Sequence, residues 1–133
     1  MLHKKALNDT SPVTILLIGS KVETVNSFEK YLNESKDFVF VGSLTTGHEG
    51  IEKVPQLLPD VVFIDSSTPD MLSSEVISEL KKLVPHCKIV LMSGSNDPML
   101  IREGLLAGAD SYLTRPVDME GLYHTIRVTS EQN

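Results

Sequence analysis

Asp65 closes the run Val61-Val62-Phe63-Ile64-Asp65, so its carboxylate emerges where a buried strand ends. In α/β proteins that carboxyl edge is where the chemistry is kept. The following stretch, Ser66-Ser67-Thr68-Pro69-Asp70-Met71-Leu72-Ser73, is a polar loop with a proline in its turn, leading into a helical pattern. Other reactive side chains form no comparable constellation. His3, His48, His86 and His124 lie far apart without metal-ligand spacing and read as surface histidines. Cys87 stands beside a strand start, with nothing nearby to lower its pKa, and reads as a buried or half-buried small residue. Ser93-Gly94-Ser95 lacks the full nucleophile elbow and evident His and acid partners, which argues against a serine hydrolase.

A carboxylate at a strand tip needs a scaffold, and the remaining chain supplies one. Val13 to Ile18 is apolar on both faces, as expected of a strand covered on both sides. Gly19-Ser20 break it, and Val22, Val25, Phe28 and Leu32 recur at helical spacing. Phe38 to Leu44 reads as a second strand. Ile51, Val54, Leu57 and Leu58 mark a shorter helix that Pro55 should bend or interrupt and Pro59 should end. Val61 to Ile64 is the third strand, followed by a helical stripe of Val76, Ile77, Leu80 and Leu83 stopped by Pro85. Lys88 to Met92 forms a fourth strand. Pro98 opens a helix expected to turn Met99, Ile101, Leu105 and Leu106 inward. Ser111 to Leu113 is a short fifth strand, and Leu122, Ile126 and Val128 mark the last helix.

Five strands alternating with five helices imply right-handed crossovers, a parallel sheet and a three-layer α/β sandwich. In the flavodoxin-like (βα)5 order 2-1-3-4-5, strands one and three meet at the switch point, so Gly19-Ser20 and Asp65 would line one crevice. Ser93 and the Thr114-Arg115-Pro116 turn would flank it. The 133 residues, 41% hydrophobic, suffice for one domain over 13–133, preceded by a flexible tail over 1–12. A net charge of -6 with scattered basic residues argues against direct nucleic-acid binding. One cysteine, no long apolar run and no signal-peptide core lead us to expect a cytoplasmic setting and no membrane contact.

From Val13 to Val128 the chain resembles the receiver domains of two-component response regulators, the CheY-like family. The resemblance rests on the order and spacing of Pro59-Asp60-Val61-Val62-Phe63-Ile64-Asp65, the proline loop, Lys88-Ile89-Val90-Leu91-Met92-Ser93-Gly94 and Gly108-Ala109-Asp110-Ser111-Tyr112-Leu113-Thr114-Arg115-Pro116-Val117. It implies that Asp65 accepts a phosphoryl group from a histidine kinase or phosphotransfer protein, in-line attack requiring a carboxylate nucleophile at a strand tip. It further implies that Ser93 donates to the phosphoryl oxygens and that Tyr112 reports the switched state. The backbone carbonyl of Ser67 falls at a magnesium-ligand position. The implied role is a signalling switch and not an enzyme.

Three positions depart from the family pattern. Two acids normally follow the first strand to hold magnesium, and here Gly19 and Ser20 stand there. Magnesium usually takes one or two carboxylates plus phosphates, so Asp65 with the Ser67 carbonyl should bind it weakly. Arg115 replaces a lysine, exchanging a compact ammonium for a planar fork, and Ser73 replaces a glycine whose position could demand special backbone angles. Glu23 and Asp70 are the acids that could substitute at the metal site.

The chain thus resembles divergent pseudo-receivers. Two readings follow: a phosphorelay switch with Asp65 as acceptor and a degraded magnesium pocket, or a phosphorylation-independent protein-interaction module in which Asp65 is tied inertly to Arg115 and Ser93. Either would work through an output protein or an effector domain outside this chain, or through a homodimer on the face of the fourth helix, fifth strand and fifth helix. A flavodoxin-like cofactor carrier would need a phosphate loop and ring-sandwiching aromatics. Gly19-Ser20-Lys21-Val22 offers no such loop, and the chain has no tryptophan.

Overall fold

A computed structural model describes residues 11–94 and 97–131. Ten of the twelve tail positions, His3 among them, and Ser95 lie outside the described residues. The chain alternates β1 (Val13–Ile18), α1 (Val22–Asn33), β2 (Phe38–Leu44), α2 (Gly47–Leu57), β3 (Val61–Asp65), α3 (Ser73–Leu83), β4 (Lys88–Ser93), α4 (Pro98–Ala107), β5 (Ser111–Thr114) and α5 (Met119–Ser130). All pairings are parallel and the order is β2-β1-β3-β4-β5, the flavodoxin-like topology expected.

The apolar strands bury both faces because helices cover both. Alternate residues Leu16, Ile18, Val62, Ile64, Ile89 and Leu91 meet Val54 of α2 and Val76, Ile77 and Leu80 of α3. Their sequence neighbours Ile15, Leu17, Val61, Phe63, Val90 and Met92 meet Phe28 and Leu32 of α1 and Leu122 and Ile126 of α5. This is the two-residue strand period read out on opposite faces. Cys87 is buried as expected, and desolvation pushes its thiol up to about 12.

Several helix expectations need correction. Pro55 does not interrupt α2, which begins earlier, at Gly47, and runs through the proline to Leu57. Proline gives up its own amide bond and crowds the carbonyl of the preceding turn, and it falls near the end of α2, while a Thr46–Glu49 capping box secures the other end of the helix. In α4, Met99, Leu105 and Leu106 face outward, Leu106 at 74% exposure, while Gly104 is the buried residue. A Cβ at Gly104 would lie 2.5 Å from Leu91 Cδ2, so α4 approaches the sheet through its smallest residue and its leucines flank the contact. Val22, Leu83 and Val128 are likewise exposed, and Thr129 is buried where α5 meets the sheet, sharing a hydrogen bond with Ser111. Ser73 is an ordinary helical residue of α3: among the described residues Leu58 alone combines a side chain with positive φ.

Candidate functional site at the carboxyl edge of the sheet

Parallel register carries the ends of four strands to one edge. Ile18 lies opposite Ile64, Asp65 opposite Met92, and Ser93 opposite Thr114. Gly19-Ser20, Asp65, Ser93 and Arg115 therefore converge without any sequence proximity. Backbone bonds lock the convergence: Gly19 N–H donates to Leu44 O at 2.8 Å, Ser66 N–H to Met92 O at 2.7 Å, and Arg115 N–H to Ser93 O at 2.6 Å.

Asp65 is 1% exposed, and its carboxylate is occupied on both oxygens. Ser20 Oγ donates to Oδ2 at 2.8 Å. The Ser67 hydroxyl and amide donate to Oδ1 at 2.8 and 3.0 Å. Arg115 Nε stands 3.3 Å from Oδ2, its side chain 28% exposed. That contact is a charge pair without hydrogen-bond geometry, since Nε is buried with no hydrogen-bond partner. The guanidinium lies over Gly94, where an added Cβ would sit 3.1 Å from an Arg115 terminal nitrogen. The expected Arg115–Asp65 pair is present, whereas the Ser20 and Ser67 hydroxyl bonds were missed. A serine two residues past each of two strands is a weak signal until the strands are known to be neighbours.

Ser93 is the buried last residue of β4 at this edge. Tyr112 lies elsewhere, half exposed on β5. It lines a groove of about 550 Å³ with Pro98, Ile101, Arg102, Leu105 and Leu106 of α4.

Neither substitute acid serves the crevice. Asp70 turns to the start of α2, accepting from Gly47 N at 2.8 Å and His48 N at 3.0 Å, and pairing with His48 Nδ1. Desolvation would raise its carboxyl, but the His48 and Gly47 amides and the His48 ring outweigh that and hold it at about 2, against an ordinary 3.8. Glu23 lies exposed in the first turn of α1. His48, His86 and His124 are on the surface as expected.

The donor set fits magnesium poorly. Octahedral Mg²⁺ prefers carboxylates and phosphates, yet Asp65 contributes one carboxylate here, and Asp70 is turned away to α2. The Asp65 oxygens already accept from two hydroxyls and face a guanidinium. Among the described residues no group of three or more His, Cys, Asp or Glu could hold a metal ion.

Residues 15–127 match the profile of the response regulator receiver domain. The chain belongs to this family, and is a receiver domain of the two-component response regulators. It is 29% identical over 116 residues to the nitrate/nitrite response regulator protein NarL of Escherichia coli strain K12, covering 87% of this chain and 54% of that protein. It is 33% identical over 75 residues to the chemotaxis protein CheY of Thermotoga maritima, covering 56% of this chain and 62% of that one. This chain thus spans about half the length of the NarL relative. Among solved structures, the receiver domain of the putative response regulator NarL of Mycobacterium tuberculosis superposes with a TM-score of 0.85 at 18% identity, covering 92% and 98% of the two chains. A CheY-like receiver from Methanospirillum hungatei superposes at 0.79 and 24% identity, covering 91% and 95%. These likenesses define the fold. No described helix is long and apolar enough to cross a membrane.

Proposed function

We propose that this receiver acts as a phosphorylation-independent interaction module, with Asp65 serving as a buried structural anion. One observation carries the reading: both Asp65 oxygens are engaged by the chain itself, through Ser20, Ser67 and Arg115. A nucleophilic carboxylate must present a free oxygen in line with phosphorus and a counter-charge for the phosphoryl group. Here the counter-charge is spent on Asp65. Output then runs through the surface, where Met99, Leu105, Leu106 and Tyr112 expose apolar area on α4 and β5. We assign that face, with α5, to contact with a second copy or with an output protein or effector region. The domain on this reading spans 13–133 and works in the cytoplasm without touching nucleic acid itself.

A second reading is favoured by Ser93 and Arg115 standing at the same edge as Asp65. In it Asp65 accepts a phosphoryl group from a histidine kinase or phosphotransfer protein, Ser93 and Arg115 hold its oxygens, Tyr112 responds, and magnesium binds weakly through Asp65 and the Ser67 carbonyl. Incubation with acetyl phosphate or phosphoramidate and magnesium, read by intact-protein mass spectrometry, separates the two. No added phosphoryl group is expected. A stable adduct that disappears in Asp65→Asn would establish the second reading.

A further inference from the structure

The crevice beside Asp65 is closed to a carboxylate at position 19 by more than the residue type there. Gly19 adopts φ +81, in the left-handed region that side chains rarely occupy, and the space its Cβ would need is already filled. An added Cβ would stand 2.2 Å from Thr68 Cγ2 and 3.1 Å from Thr68 Cα. The intruding atom is not the free end of a flexible chain. Threonine is β-branched and stiff at χ1, and Thr68 Oγ1 is committed to Met71 O at 2.8 Å, which fixes the methyl toward Gly19. The backbone is tied as well, Thr68 N–H donating to Asp65 O at 3.2 Å. Ser67 Oγ reaches Gly19 O at 3.4 Å from the same loop.

We propose that Thr68 is a plug that specifies metal exclusion: the β3–α3 loop packs its methyl where the first metal-binding acid would have to begin. Gly19 and Thr68 are an interlocked pair, and restoring carboxylates at 19 and 20 alone does not restore a magnesium site. This deepens the phosphorylation-independent reading of Asp65 and rests on the same pocket. The two fail separately, because phosphorylation of the unaltered chain would overturn that reading without touching the plug.

The test compares Gly19→Asp/Ser20→Asp with Gly19→Asp/Ser20→Asp/Thr68→Gly in the full chain. Magnesium chloride binding is measured by isothermal titration calorimetry and folding by circular dichroism. The triple variant is expected to bind magnesium at least about tenfold more tightly than the double, and to melt at a higher temperature without metal. A double variant that unfolds beside a folded triple supports the plug equally. Equal magnesium affinity in the two overturns it. A milder cycle covers the case in which both unfold: Gly19→Ala should lower the melting temperature more when residue 68 is threonine than in the Thr68→Gly background. Equal losses would overturn the interlock.

Discussion

Ser20 Oγ donates to Asp65 Oδ2 at 2.8 Å, so the position where the family resemblance implies an acid here supplies a proton donor to the buried carboxylate. An acid there repels Asp65 and requires a cation between them, whereas a hydroxyl satisfies Asp65 directly. Ser20→Ala should therefore cost about 1.5 to 3 kcal/mol, the range for a hydrogen bond to a charged group. Urea unfolding measures it, and a variant as stable as the parent would show that Arg115 and Ser67 already suffice.

Arg115 supplies the positive charge nearest a carboxylate that is 1% exposed. Removing one partner of a fully buried pair costs about 3 to 5 kcal/mol. Because the arginine itself is partly solvated, Arg115→Gln should fall near about 1 to 3 kcal/mol. Stability unchanged by Arg115→Gln would mean that the charge contact contributes nothing.

Millimolar magnesium should leave the melting temperature of the unaltered chain unchanged. Ligand stabilisation follows the ratio of concentration to Kd, and one carboxylate already occupied by hydroxyls and a guanidinium gives a large Kd. A clear upward shift, or saturable heat in calorimetry, would require carboxylates other than Asp65 to enter the site.

The Asp70 contact predicts a specific acid response. Its folded value of about 2 lies below the ordinary 3.8, so its contribution is complete above about 4 and is lost as pH falls through about 2. Asp70→Asn should flatten the melting-temperature profile between those two limits. Parallel profiles for parent and variant would show that the α2 clasp does not titrate as described.

Cys87, buried with its thiol pushed up to about 12, should resist iodoacetamide at neutral pH in the folded chain and react once urea unfolds it. Rapid alkylation without unfolding would contradict the burial.

The five strands and the helices between them were legible because short, two-faced apolar runs such as Val61–Ile64 have few other ways to be buried. The position of Asp65 at a strand end followed from the same run, and Arg115 as its partner followed once the strand order was assumed. Which face of α4 turns inward was not legible. Its leucines outweigh Gly104 on any hydrophobic count, yet close packing against Leu91 rewards the smallest residue. The state of the site belongs to tertiary structure for a similar reason. The sequence shows Gly19 and Ser20 directly after the first strand, where the family resemblance implies two acids. That Ser20 satisfies Asp65, that Asp70 is spent on α2, and that Thr68 fills the space beside Gly19 depend on loops 22 to 49 residues apart in the chain meeting at one sheet edge, and no local pattern encodes a contact of that kind.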